Sequence, residues 1–300
     1  MSNARTFLWL FAYVQIGFII LDLFEHWRSA RESTRVPVIP RYRSLIAAVA
    51  SACLVYFAVQ VGLASLFPNI GRIADYATRA AHADAFLIDT RWQIPVFLGA
   101  FLTGTFFDYL VHRFLLHGVF WRLHENHHLP SVVSNVMPGI AARPFVVLPN
   151  FLINVGSCGA IFAVVSLMGR PQLVATFVHI VPLLLLTFAF IASASHSNFL
   201  RRYEVCETLF RALFLITPRE HLIHHAANIQ GNYGNFTPLW DHAFGTYVPP
   251  TNDAIRLGLD YDQDFLGAIT AGFLKLPPGV RQRFQIEQVC RIESSHGTDP

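Results

Sequence analysis

The sequence predicts an all-α protein, a multi-pass bundle of about five spanning or re-entrant membrane helices with a helical cap on the cytoplasmic side that carries a His-rich di-metal site. Three observations carry that prediction. Of 300 residues 53% are hydrophobic and only 14% charged, with a mean hydropathy of +0.42, a balance that soluble domains do not show. Five apolar stretches reach the roughly 20 residues that a helix needs to cross the hydrocarbon core. Finally, nine of the 14 histidines fall into two short windows, 112–128 and 196–225.

The stretches run over 7–24, 44–67, 94–117, 147–168 and 172–195. The first holds Gln15 and Asp22 and lacks a short apolar region followed by a small-residue cleavage site, so it reads as a retained helix. The loop 26–43 sets Arg28, Arg31, Arg35, Arg41 and Arg43 against Glu32 and is expected on the cytoplasmic side. The loop 68–93 balances Arg72, Arg79 and Arg91 with Asp75, Asp84 and Asp89 and is expected outside. The third helix then leaves the membrane near residue 118, and 170–171 forms a tight external tip. Residues 118–146 and 196–300 become cytoplasmic. The chain divides into N-terminal membrane helices (1–93), a metal-bearing region (94–248) and a C-terminal tail (249–300). Within the last hundred residues, 205–216 has helical periodicity, too short to span and suited to lying at the interface. Pro218 and the Gly/Asn-rich 228–235 mark turns.

The formal charge of +3 implies no nucleic-acid partner. Cys53, Cys158, Cys206 and Cys290 are scattered, with no CxxC spacing, and read as small packing residues.

The histidines are informative in their spacing. His124, His127 and His128 read H-x-x-H-H, and His221, His224 and His225 repeat it. Positions i, i+3 and i+4 share one helix face, so each triplet is expected to present three imidazoles to one point. His112 and His117 would diverge on a straight helix. A bulge or a loosened last turn before Gly118 would bring both rings to one centre. His196 ends the last span at the same level.

Imidazole suits Fe, Zn, Cu or Ni, and nine rings exceed the needs of one ion, so two metals are the economical reading. Ionisable groups beside an apolar bundle are costly and functional by default. Single histidines carry less weight: His26, His82 and His296 read as surface residues, His179 as a polar packing residue in mid-span, and His242 as a poor candidate for a tenth ligand. His124-Glu125-Asn126-His127-His128 also matches H-E-x-x-H, the pattern of a zinc metalloprotease, which would here act within the membrane. That alternative leaves most of the other histidines unexplained. In the metal-cluster reading Glu125 accepts the spare N–H of a ligand ring. Paired haem ligands would have to lie within the spans, where only His112 and His179 are candidates.

With these residues in view, the chain resembles the sterol desaturase and fatty acid hydroxylase superfamily of integral-membrane di-iron enzymes. The matching text is D-Y-L-V-H-R-F-L-L-H (108–117), L-H-E-N-H-H (123–128), S-H-S-N (195–198), P-R-E-H-L-I-H-H-A-A-N-I-Q-G-N-Y-G-N (218–235) and L-W-D-H-A-F-G-T-Y (239–247). The resemblance covers about 94–248.

The resemblance implies two Fe ions bound by His112, His117, His124, His127, His128, His196, His221, His224 and His225. It also implies O2 and two electrons as co-substrates, and hydroxylation or desaturation of a C–H bond of a sterol, fatty acyl chain or related lipid. No H-P-G-G haem domain is present, so electrons are expected from a separate donor of the cytochrome b5, ferredoxin or reductase type. The site would face the cytoplasm of a bacterial inner membrane or of the endoplasmic reticulum. The fatty acid 2-hydroxylase branch carries a further histidine near S-H-S-N; here one iron would keep an open position or reach Asn198 through water. Asn232, Tyr233 and Trp240 read as a folded lid support or as plain packing, and Asp241 as an acceptor behind a ligand ring. Arg143, Arg201, Arg202 and Arg219 are candidates for lipid headgroups, with positive-inside anchoring the stronger explanation.

Overall fold

The computed structural model describes residues 2–31, 90–128, 167–250, 254–257 and 291–294, with single residues at 159, 161, 164, 274, 277 and 279. Helix α1 is Ser2–Arg31 and α2 is Thr90–Leu110, which runs into a π-helical segment, Val111–Val119, and then α3, Trp121–His128. Helix α4 spans Pro171–Ser195 and ends in a 3-10 turn, Leu200–Arg202. Three short helices follow: α5 (Glu204–Ala212), α6 (Pro218–His224) and α7 (Leu239–Ala243). Strands β1 (Ala254–Leu257) and β2 (Arg291–Ser294) pair antiparallel, with Ala254 opposite Ser294.

Two helical stretches among the described residues, Arg91–Val119 and Gln172–Ser195, are long and apolar enough to cross a membrane. The second, with 24 residues, is roughly 36 Å long, enough for a core of about 30 Å. Their apolar windows are only 28% and 39% buried, whereas the core helix of a soluble domain would be mostly covered. Ile94, Leu98 and Leu102 on α2, with Leu183 and Phe190 on α4, point outward as lipid-facing side chains would. The expected stretch 44–67 and nearly all of 147–168 lie outside the described residues, as does the rest of 32–89 and 129–158.

The two long helices pack through Ala100, Phe177, Ile180, Leu184 and Phe188, with Ile161 beside them. Gly104 belongs to this seam, because a Cβ there would sit 3.1 Å from the Phe188 ring. Helix α1 lies against α4 along a stripe with the i, i+3, i+7, i+10 spacing of one helix face. Gln15 donates to the Ser193 hydroxyl at 2.8 Å, Phe18 is buried near Ala194 and Phe210, Asp22 accepts from Ser197 and Phe199, and Glu25 pairs with Arg28 and Arg202.

Two features depart from the sequence reading. The fold is not purely helical: A-I-R-L places Ile255 and Leu257 on one side at the period of a strand, and both are fully buried against Leu222 and Ala226 behind α6. A four-residue alternation is too short to stand out in a tail of mixed composition. Pro218 does not mark a turn but occupies the first turn of α6, where a missing N–H costs nothing. Thr217 and Glu220 close a capping box around it: the Glu220 amide donates to the Thr217 hydroxyl at 3.1 Å and the Thr217 amide to Oε2 of Glu220 at 3.0 Å.

Candidate metal centre

Nine imidazoles from four pieces of chain meet at one end of the long helices. The π-helical segment explains how His112 and His117 take part. Its bonds run from residue i+5 back to i, as in Phe120 N–H to the Leu115 carbonyl at 2.7 Å, so side chains five apart come onto one face. The two rings accordingly stand 4.9 Å apart, centre to centre. Helix α3 brings His124, His127 and His128, the end of α4 brings His196, and α6 with its C-terminal cap brings His221, His224 and His225.

The rings sort into two adjacent groups. His112, His117, His124 and His224 form the first, and His127, His196, His221 and His225 the second; within each group the facing nitrogens all lie within 4.8 Å of one another. His128 stands between them, its Nε2 3.2 Å from that of His124 and its ring 4.8 Å from that of His225. Neither H-x-x-H-H triplet therefore points at a single centre, contrary to the sequence reading. Residues i and i+4 project within about 40° of each other, whereas i+3 lies about 100° from i+4. Helix α3 gives His124 to the first group and His127 to the second, with His128 between them. Helix α6 gives His221 and His225 to the second group and His224 to the first, the opposite sense.

Proton bookkeeping tests whether this donor set fits metal ions. A carbonyl oxygen only accepts, so His112 donates from Nδ1 to the Tyr233 carbonyl at 2.6 Å, His196 to Ala192 at 2.6 Å and His224 to Gly231 at 3.2 Å. Those three rings must present bare lone pairs at Nε2. Yet Nε2 of His196 faces Nε2 of both His127 (3.2 Å) and His221 (3.0 Å), and His221 faces His225 at 3.2 Å. One proton on His221 cannot serve both neighbours. Cations accepting all the lone pairs remove the conflict, and the backbone carbonyls supply the outer partners that orient ligand rings. Nδ1 of His221 is buried without a partner among the described residues.

Burial and the surrounding rings suit the same purpose. Seven of the nine side chains are buried, with His117 and His127 half-buried. Desolvation first, and mutual repulsion second, hold His124, His127, His128, His221 and His225 well below the usual imidazole pKa; His224 is lowered likewise, against a carbonyl bond from Gly231. His196 is lowered less steeply, because the Ala192 carbonyl and Asp22 oppose burial. Neutral rings are the form that binds metal.

The loop after α6 closes over the first group. Asn232 adopts a left-handed backbone (φ 51°), and its side chain bridges the Glu220 carbonyl (3.0 Å) and both backbone groups of Val248. Trp240 donates to Thr105 on α2 at 3.0 Å, and Asn235 donates to buried Asp108. Trp240 and Asn235 thus tie the tail to α2, while Asn232 ties it to α6. Asp241 is fully buried and meets no ligand ring; it accepts from the Tyr233 and Gly234 amides, both at 2.8 Å, so it acts on the backbone behind His112. Asn198 is occupied by Arg201, which donates to its Oδ1 at 2.6 Å. The side chain of Glu125, Arg143, His82 and His296 lie outside the described residues, as does the side chain of His26.

Other expectations change. His242 stacks on Tyr247 at 3.9 Å, away from the cluster. His179 is exposed on α4 among the described residues. Arg219 is buried and pairs with Glu204 at 2.6 Å, and Arg202 pairs with Glu25, so neither waits for a headgroup. Cys206 is a free, partly exposed thiol; the other three cysteines lie outside the described residues. The stripe on α1 went unnoticed in the sequence, although Gln15, Asp22 and Glu25 at helical spacing in an apolar run signal it.

The zinc-protease alternative is not supported, since His124 belongs to a group completed by the π-helical segment and α6. Comparison with curated proteins and with solved structures finds no match. A family model described as fatty acid hydroxylase matches residues 97–246, half of the chain and the span that holds all nine histidines. The chain belongs to the fatty acid hydroxylase family, within the sterol desaturase and fatty acid hydroxylase superfamily.

Proposed function

We propose that this protein is a membrane-bound di-iron oxidoreductase that uses O2 and two electrons to hydroxylate or desaturate a C–H bond of a lipid. The observation that supports this most is the pair of adjacent all-imidazole groups, too many ligands for a single zinc and without the open three-ligand arrangement of a hydrolytic site. Bound there, two irons would supply reductive activation of O2, with one oxygen atom entering the C–H bond and the other leaving as water, or with both leaving as water as a double bond forms.

The chain's own part is to bind, orient and exclude. His112, His117, His124 and His224 would hold one iron, His127, His196, His221 and His225 the other, and His128 stands where it can serve the first or bridge the pair. Carbonyls of Ala192, Gly231 and Tyr233 fix three of the rings with Nε2 inward. Phe114, Leu115, Val119 and Phe120 are exposed around the π-helical turn beside His117, a route by which a lipid could approach from the bilayer. The basic 26–43 loop favours a cytoplasmic site, and a separate soluble or membrane-borne donor would deliver the electrons.

The test is expression in a membrane with a competent electron donor, with metal analysis of the purified protein and mass spectrometry of the lipids. Close to two irons per chain and a lipid gaining one oxygen atom or losing two hydrogens is the expected result. A single stoichiometric zinc and unchanged lipids would overturn the proposal.

A further inference from the structure

The two groups of rings are held in different ways. In the second group, the one carbonyl among the described residues that fixes a ring is Ala192, four residues before His196 on the same helix. The first group depends on a distant piece of chain, because His112 and His224 are both fixed by carbonyls of the loop 231–234. That loop is placed largely by one buried carboxylate. Asp241 takes the Tyr233 amide on Oδ1 and the Gly234 amide on Oδ2, and the Thr246 hydroxyl also donates to Oδ1 at 2.7 Å. The Asn232 amide donates to the Thr246 carbonyl at 3.0 Å, and the Thr246 amide to the Asp241 carbonyl at 2.8 Å, which closes the strap. Gly234 leaves no slack, since a Cβ would stand 2.3 Å from the Thr237 carbonyl and 2.9 Å from Asp241 Oδ2.

We infer that Asp241 is a positioning residue for the first metal alone: through the Tyr233 and Gly231 carbonyls it keeps His112 and His224 turned inward, so the two metal positions fill and empty separately. This rests on the di-iron reading above. Each Asp241 oxygen receives an N–H, so an amide in its place turns an NH2 toward one of those donors and displaces the loop. The rings most affected are His112 and His224. His127, His196, His221 and His225 have no hydrogen bond to this loop among the described residues.

The experiment compares metal content and iron spectroscopy of the full-length protein in detergent with Asp241→Asn and, as a reference for the second position, His221→Ala. Wild type is expected to bind two irons as a spin-coupled pair. Asp241→Asn is expected to bind close to one, with the paramagnetic signal of an isolated ferric ion, and to lose it when combined with His221→Ala. Should Asp241→Asn fail to fold, Thr246→Val removes one bond to Oδ1 and keeps both backbone bonds. A chelator should then strip one iron at least severalfold faster than in wild type and the other at the unchanged rate. If the variants hold two irons with wild-type release, or lose both together, the separate hold is wrong. If wild type itself never binds a second metal, the di-iron reading fails instead.

Discussion

Oδ1 of Asp22, in the middle of an apolar helix, accepts the Ser197 hydroxyl at 2.8 Å, one residue beyond His196 and 175 positions along the chain. The same oxygen takes the Phe199 amide at 3.0 Å. Helix α1 thus pins the turn that carries a candidate ligand.

Asp22→Ala leaves two buried donors unsatisfied. The expected cost is about 2–5 kcal/mol, read as a lower unfolding temperature in detergent. Asp22→Asn, which keeps an acceptor, should lose less than half as much. The carbonyl partner of His196 lies on α4 itself, so both variants should keep the ring in place once folded.

Gly234→Ala is expected to be severe. The new methyl would overlap the Thr237 carbonyl, and such overpacking costs about 1–3 kcal/mol or more. Thermal unfolding and metal content should fall together. Gly245→Ala, where the added methyl meets nothing within 4 Å but the backbone is left-handed (φ 67°), should cost only about 1 kcal/mol.

The pH dependence follows from the lowered histidines. In the unfolded chain these rings bind protons below pH 6.5, whereas in the fold burial keeps His124, His127, His128, His221, His224 and His225 neutral to well below that. The unfolded state therefore carries more protons in that window, and stability rises with pH through it. The metal-free protein should be most stable above about pH 7 and lose unfolding temperature steadily on acidification. Added metal should oppose the loss, measurable by thermal scans from pH 5 to 8.

Helix α5 presents Val205, Leu209 and Leu213 outward, 62%, 57% and 67% exposed, with Phe214 beside them. This agrees with a helix resting on the bilayer surface. A Leu209→Cys thiol should be shielded from a water-soluble reagent in lipid nanodiscs and react in lipid-free detergent-stripped protein, whereas Arg211→Cys, exposed about 160° round the helix from Leu209, should react in both. Equal reactivity of the two positions in nanodiscs would refute the contact.

Much of this was legible because histidine is rare and its spacing is rigid. His112 and His117 announced a widened turn, and the π-helical segment is that turn. Less legible were directions set by tertiary contact. Nothing local tells His127 and His224 to turn away from their own triplets; the helix supplies the angle, and only the facing helix decides which group each angle serves. The sequence suggests Asp241 as a partner of a ligand ring, but its partners are two backbone amides and the Thr246 hydroxyl, and sequence carries no mark of a contact one layer further out. Glu25 and Arg202 are a pair that neither window suggests, because ion pairs join positions far apart in the chain.

The opposed senses of the two triplets have a consequence for biogenesis. Each group draws on rings both before residue 129 and after residue 195, so neither can be completed while the later half is still being synthesised. An ion captured early by α3 alone would meet His124 and its i+4 neighbour on one side and His127 on the other, a weak and exchangeable hold. Metal insertion would therefore belong late in assembly, after α6 has docked, and the ions would lock together segments that lie on either side of α4 in the chain.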